Sequence, residues 1–280
     1  MTAADGFTGR PLTRFVPFES LESYRARFAE HAALERNDGV LEVRFHTQGG
    51  PVLWSFEFHR ALSQLFMTIG QDPQNEIIIL TGTGEYWTGG RDVESFYAVE
   101  HDTEQHRQGT YEYWFLDSLR LQESLLWNIH VPTIGVVNGP GAHLEIAMLC
   151  DLTIATDDVR VNDAHFRGNS VPGDGLFIVL QHLLGLKRAN HLMWLAGEGI
   201  SSEDALELGL FNEVISNRDQ LMPRARAMAA ELMKQDRIVR RMTTMIARRT
   251  WRRVFENDFL AHIASESWCV AVKPEPHYNY

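Results

Sequence analysis

The chain has 280 residues, 44% hydrophobic and 22% charged, which are ordinary globular values that exclude a disordered chain or a fibre. A net charge of −11 argues against bulk affinity for nucleic acid or for an anionic membrane. Two cysteines, Cys150 and Cys269, make no disulfide framework; with no membrane-length apolar run and no signal-peptide pattern, the expectation is a reducing cytoplasm.

In chain order, 1–37 is expected to be an N-terminal arm and helix, 38–200 a core of repeated strand–strand–helix units, and 201–280 a helical region of the same structural domain. VLEVRF at 40–45 alternates apolar and polar side chains and predicts a half-buried strand, followed by a glycine turn and a short second strand, PVLW. Phe58, Leu62, Leu65, Phe66 and Ile69 recur at helical spacing and predict a helix over 56–69. EIIILT at 76–81 reads as a buried strand that runs into the glycine turn GTGEYWTGGRD. A short helix near 92–96 and a long one over 103–130 come next, the latter ending before Val131-Pro132. Strand TIGVV, turn NGPGA, helix LEIAML and strand DLTIAT follow. The last third is helical apart from the strand NEVIS.

Chemistry-bearing residues concentrate in 138–175, where His143, Glu145, His165 and Asp174 accompany a glycine turn and a Pro-Gly-Asp-Gly turn. IIILTGTGEYWTGGRDVESF and TIGVVNGPGAHLEIAML each join a buried strand, a glycine turn and a helix start. A helix start leaves backbone N–H groups unpaired, so two such turns face to face would make an oxyanion hole. A phosphate loop is the competing reading, but GxxxxGK[ST] is absent and neither turn matches GxGxxG.

LTGTGEYWTGGRDVESF resembles the first oxyanion segment of the crotonase (enoyl-CoA hydratase/isomerase) superfamily, and VNGPGAHLEIAMLCDLTIAT resembles the second. The following VPGDG and the LxxLxGExIssedALELGLfNEVI block keep that family's order, so the resemblance covers roughly residues 38–270. It implies an α/β fold, a crotonase-type spiral of ββα units with a helical C-terminal trimerisation region, assembled as a homotrimer or dimer of trimers. It also implies the N–H groups of Arg91 and Ala142 as oxyanion donors. Glu145 occupies the first glutamate position of a typical hydratase, but the second holds His165. That histidine, with Asp174 nine positions later (174 − 165), His143, PVLW and Glu266, is similar to the 6-oxocamphor hydrolase and β-diketone hydrolase branch. Enzymes of that branch cleave a carbon–carbon bond between two carbonyls with water and need no coenzyme A, so no cofactor is expected and the partner is a small diketone.

In that chemistry His165 would activate water, its pKa lying near operating pH, and Asp174 would hold its far ring nitrogen. His143 would donate to a substrate carbonyl and then to the enolate. Glu145 has two readings, assistance in catalysis or support of the glycine turn. Glu266 is either part of the site or a solvated helix acid. Trp54 would wall the substrate pocket, and Arg91 and Ala142 complete the substrate-binding set. No metal is expected, because His143 and Glu145, two apart on a helix, would face different sides. Ser170 lacks a nucleophile elbow, and Cys150 reads as core. Seven arginines without an acid between Arg237 and Arg253 could meet phosphate or an acidic surface. That run keeps open a coenzyme A thioester enzyme (hydratase, hydrolase or isomerase) beside the diketone hydrolase and a catalytically silent oligomeric scaffold.

Overall fold

A computed structural model describes residues 15–100 and 103–272; the expected arm falls mostly in 1–14, outside the described residues. After α1 (Leu21–Arg27), β1 (Ala32–Asn37) and β2 (Val40–Phe45) form an antiparallel hairpin. Its two-residue turn is Asp38-Gly39, with φ of 47° and 83°, the left-handed pair a tight hairpin requires. The sheet therefore starts at 32, and the expectation that 1–37 holds only an arm and a helix is corrected. Ala32 and Leu34 alternate into the core, and Asp-Gly supplies the turn chemistry.

β3 (Leu53–Trp54) is followed by α2 (Phe56–Gln71), capped by Ser55, whose hydroxyl accepts from the Phe58 N–H at 3.0 Å. β4 (Ile77–Thr81), β5 (Gly90–Arg91) and α3 (Val93–Glu100) come next, with β5 parallel to β3. The expected long helix ends at Asn128 and is not uniform. α4 (Thr103–Gly109) and α5 (Asp117–Glu123) alternate with wider π-type turns at Thr110–Leu116 and Ser124–Asn128. β6 (Thr133–Val137), α6 (Glu145–Met148), β7 (Leu152–Ala155) and β8 (Arg160–Val161) carry the chain through the second glycine turn. Then come α7 (Leu176–Leu184), α8 (Leu186–Trp194), β9 (Ile200–Ser201), α9 (Ser202–Glu207) and β10 (Glu213–Val214). α10 (Leu221–Met233), α11 (Arg237–Ala247) and α12 (Arg249–Val272) close the described chain.

The main sheet runs β1-β2-β4-β6-β7-β10 and is parallel from β2 onward. The period-two alternation of β4 sends Ile78 and Leu80 into the large core with Leu62, Leu65 and Phe66. Ile77 and Ile79 face the other way, onto Leu221, Ala225 and Ala229 of α10. β10 and α10 thus complete the core, so part of 201–280 belongs to the fold's own interior. Among the described residues, no helix is long and apolar enough to cross a membrane.

Five of the seven arginines in the run have partners within the chain. Arg237, Arg240 and Arg241 pair with Glu76. Arg252 donates to the Leu126 carbonyl at 2.9 Å. Arg248, 2% exposed, donates to the carbonyls of Ile129 and Val131, to Thr133 Oγ1, and to both oxygens of Asp151, pinning the α11–α12 junction to the start of β6. Removing it takes the counter-cation from Asp151, whose Oδ2 keeps only the Thr133 donors, and takes the guanidinium donors from the Ile129 and Val131 carbonyls. Arg248→Ala is therefore expected to lower unfolding free energy by about 3 kcal/mol, read as a lower urea midpoint at unchanged slope; a change under about 1 kcal/mol would contradict this.

Candidate active site

Two glycine turns, one after β4 and one after β6, are held against each other by Asn138. Its Oδ1 accepts from Gly82 N–H at 3.0 Å, and its Nδ2 donates to the carbonyls of Gly84 at 2.9 Å and Tyr86 at 3.0 Å. The backbones pack so closely that a Cβ at Gly139 would collide with the Glu85 carbonyl, and one at Gly141 with the backbone of Thr88. Trp87 adds an Nε1 bond to the His143 carbonyl at 3.2 Å. His143 itself takes φ 57°, a left-handed conformation that costs energy for a non-glycine residue and is kept by this surrounding frame.

Beside the turns lies a cavity of about 420 Å³ whose wall includes Trp54, Phe56, Phe96 and Trp114. Its wall is mostly apolar in area and its titratable groups converge on His143 and His165, the usual build of a small-molecule site. Trp54, on β3, stacks on the His143 ring with centroids 3.5 Å apart and planes 14° apart. Nδ1 of that ring is 3.0 Å from Glu145 Oε1 and 3.4 Å from Asp174 Oδ2. The expectation that His143 and Glu145 face different sides is thus corrected. His143 precedes α6 in left-handed backbone, so helical spacing does not apply to the pair.

His165 follows β8 in an aspartate-led turn: Asp163 Oδ1 accepts both from the His165 N–H at 2.9 Å and at Nδ1, 2.7 Å away. Asp163 therefore takes the orienting role that the sequence reading gave to Asp174. Asp174 lies beyond the opposite nitrogen, Oδ2 being 4.0 Å from Nε2, while its Oδ1 accepts from the Leu176 N–H at the start of α7 at 3.2 Å. Glu266, from α12, is buried, accepts from the Gly173 N–H at 3.1 Å, and places Oε1 3.7 Å from His165 Nε2. The solvated-acid reading of Glu266 is excluded by that burial.

The paired backbone donors are not assembled as expected. The Ala142 N–H donates to Thr88 Oγ1 at 2.7 Å, because the close approach at Gly141 brings that hydroxyl onto it. Arg91 pairs with Trp54 across β5 and β3 and lays its guanidinium 3.6 Å over the Phe96 ring, at the cavity wall.

Burial governs the charges. It raises the Glu145 carboxyl to about 8 and that of Glu266 to about 8, so both hold protons at neutral pH. It raises Asp174 to about 6, helped by Glu145 and opposed by His165 and His143. Burial lowers His143 to about 4, against the pull of Asp174, leaving it neutral. In His165 burial is outweighed by Asp163, Asp174 and Glu266, which hold the imidazole well above its usual value. Asp163, despite its burial, is lowered by the His165 charge. The resting site thus holds an Asp163–imidazolium pair beside the Asp174 carboxylate and two carboxylic acids.

Two residues of this site were missed in the sequence. Asp163 carried a signal, an acid two before a histidine, which permits such a turn. His59, on α2, carried none beyond being a polar residue on an apolar helix face. It lines the cavity 3.4 Å from the Ser118 hydroxyl, and burial lowers it to about 3. The His143, Glu145 and Asp174 donors come together, as do those of Asp163, His165 and Asp174, so a cation could be imagined at either triplet. The close donors are engaged with one another, and we assign no metal.

Residues 35–263 match the enoyl-CoA hydratase/isomerase family. The chain belongs to that family, and its fold is the crotonase fold. It is similar in structure to a β-diketone hydrolase from the cyanobacterium Anabaena sp. PCC 7120 bound to (S)-3-oxocyclohexyl acetic acid, with TM-score 0.80 and 28% identity over 89% of this chain and 96% of that one. An enoyl-CoA hydratase/isomerase from Mycobacterium paratuberculosis shares the fold at TM-score 0.77 and 18% identity, covering 87% of this chain and 95% of that one. A probable enoyl-CoA hydratase of Mycobacterium bovis is 27% identical over 181 residues, 64% of this chain; the match spans 62% of that relative's length. A hydroxycinnamoyl-CoA hydratase-lyase of Pseudomonas fluorescens is 24% identical over 70% of each chain.

The buried acids make stability depend on pH. Glu145 and Glu266 keep protons in the folded state from their ordinary value of 4.5 up to about 8, so the folded state binds more protons and stability falls as pH rises through that window. The thermal midpoint of the wild type is expected to fall more steeply across it than that of a Glu145→Gln, Glu266→Gln double variant. Equal slopes would contradict the assignment.

Proposed function

We propose that the protein is a cofactor-independent hydrolase that cleaves a carbon–carbon bond of a β-diketone, cyclic or bulky, by a retro-Claisen reaction. The observation that carries this reading is the pair of unlike histidines, one neutral and one buttressed by carboxylates, that both reach Asp174 Oδ2, at 3.4 and 4.0 Å, in the wall of one cavity. A β-diketone needs just such a division: a base for water, and a donor for the carbonyl that becomes an enolate. The likeness to the Anabaena β-diketone hydrolase supports it.

In this reading His165, once it releases its proton, takes one from water through Nε2 while Asp163 holds Nδ1 and the Asp174 carboxylate stabilises the new imidazolium. Hydroxide adds to one carbonyl carbon. The tetrahedral intermediate then collapses, the bond to the central carbon breaks, and its electron pair passes to the second carbonyl as an enolate. His143 donates to that oxygen; a neutral imidazole suits a developing enolate because its own acidity is closer to that of the enol. The imidazolium of His165 returns its proton to the central carbon, and a carboxylic acid and a ketone are formed, on one ring-opened molecule where the diketone was cyclic. We keep the Arg91 amide as a second candidate donor, while the Ala142 amide, bonded to Thr88, drops out of that role. Trp54 orients His143 by stacking and walls the substrate.

The hydratase relatives support a second reading, a crotonase-type enzyme acting on a coenzyme A thioester. Its foothold in the arginine run is reduced, because Arg237, Arg240, Arg241, Arg248 and Arg252 already have partners. A homotrimer or dimer of trimers belongs to the same proposal, supported by the apolar stripe that Ile238, Val239, Met242 and Ile246 expose on α11. The two free cysteines support a reducing cytoplasm.

Since carboxylates hold the His165 proton, kcat/KM on a diketone is expected to rise with pH above neutrality. Asp163→Asn removes the main raising charge, so it should move that rising limb to lower pH while lowering the maximum about 10²–10⁴-fold. An unmoved limb would reject the dyad.

A further inference from the structure

A neutral imidazole carries one proton, and the partner of Nδ1 decides what Nε2 offers. If Nδ1 holds the proton, Nε2 presents a lone pair; if Nδ1 accepts one, Nε2 presents an N–H. For His143 the partners at Nδ1 are Glu145 Oε1 at 3.0 Å and Asp174 Oδ2 at 3.4 Å. Glu145 is 0% exposed, and its Oε2 is buried without a hydrogen bond of good geometry. An ionised carboxylate in that position would place charge on a buried oxygen that makes no hydrogen bond of good geometry, whereas a carboxylic acid places none there. Asp174 is the more distant partner: its Oδ1 accepts from the Leu176 N–H, and its Oδ2 lies between the two rings, 3.4 Å from His143 Nδ1 and 4.0 Å from His165 Nε2, whereas Glu145 Oε1 is at hydrogen-bond distance. The wider surroundings agree. Asp163 disfavours a charge on Glu145, His165 favours one, and Gln122 and the residue's own backbone offset burial only in part.

We propose that Glu145 is a neutral carboxylic acid that donates its proton to His143 Nδ1 and so locks His143 in the Nε2–H form, a hydrogen-bond donor at the cavity wall. Glu145 is then a positioning residue. It occupies the place of a hydratase glutamate but acts through the histidine two residues before it. The inference rests on the reading of His143 as the group that polarises the carbonyl. It adds why that ring donates when a carboxylate partner would have turned it into an acceptor. The stacked Trp54 fixes the plane of the ring, and Glu145 fixes which edge carries hydrogen.

The direct test is nitrogen-15 NMR of histidine-labelled full-length protein at neutral pH, with His143→Gln used to assign its signals. The expected result is a pyridine-like Nδ1 and a pyrrole-like Nε2 for His143; the reverse pattern, or an imidazolium, overturns the proposal. Kinetics on a β-diketone give a second readout. Glu145→Ala should lower kcat about 10–100-fold, by analogy with the loss when the partner that orients a metal-binding histidine is removed. Glu145→Gln, whose amide can still donate to Nδ1, should recover most of that loss and lack the falling alkaline limb that ionisation of Glu145 near about 8 gives the wild type. A Gln variant as impaired as the Ala variant overturns the proposal. If neither variant folds, the wild-type spectrum alone decides. The Nε2–H form without diketone turnover would leave the tautomer standing and reject the reaction.

Discussion

Burial of many titratable groups around one cavity is the constraint on which the site depends. Asp163, Asp174, Glu145 and Glu266 surround two histidines where water cannot solvate every charge, so protons must be distributed among them. The distribution is set by who touches whom. The histidine with a carboxylate hydrogen-bonded at Nδ1 and two more carboxyls near Nε2 keeps its proton, while the one stacked on Trp54 beside a protonated acid loses its own. Two side chains of one type thereby acquire opposite tasks, which is the pattern expected when one site must run acid and base chemistry together.

The fold supplies this arrangement by bringing distant segments to one end of a parallel sheet. Asn138 fastens the turn after β4 to the turn after β6, which fixes His143; β8 delivers the Asp163 turn, α7 begins beneath Asp174, and α12 returns to insert Glu266. Arg248, at the α11–α12 junction, bonds Thr133 at the start of β6 and Asp151 just before β7, so the start of α12 is anchored on the same strand that leads into the second glycine turn. Loss of that anchor would act on the site through Glu266 as well as on stability.

Much of this was legible in the sequence. Glycine turns after apolar strands marked the two facing segments, and His143, Glu145, His165, Asp174, Glu266, Trp54 and Arg91 all line or abut the cavity. Short-range geometry was read less well. Helical spacing separated His143 from Glu145 because the left-handed turn at His143 has no reliable sequence mark in a non-glycine residue. The partner of His165 was sought in the family's later aspartate, while the local Asp163 took the bond. The Ala142 amide was counted as a donor to substrate because a side chain reaching it from Thr88 depends on packing between segments far apart in sequence. His59 reached the site from an amphipathic helix, where a lone polar residue gives no hint of its neighbours.

The central claim is that the unlike histidines serve hydrolysis of a carbon–carbon bond and not addition of water to a thioester-conjugated double bond. It is tested most directly by turnover of a cyclic β-diketone in oxygen-18 water and in deuterium oxide, beside an enoyl-CoA assayed under the same conditions. The account predicts one oxygen-18 in the product carboxylate, one deuterium on the carbon released from between the carbonyls when that carbon carries no hydrogen in the substrate, and no hydration of the enoyl-CoA. Hydration of the thioester with no cleavage of the diketone would contradict it.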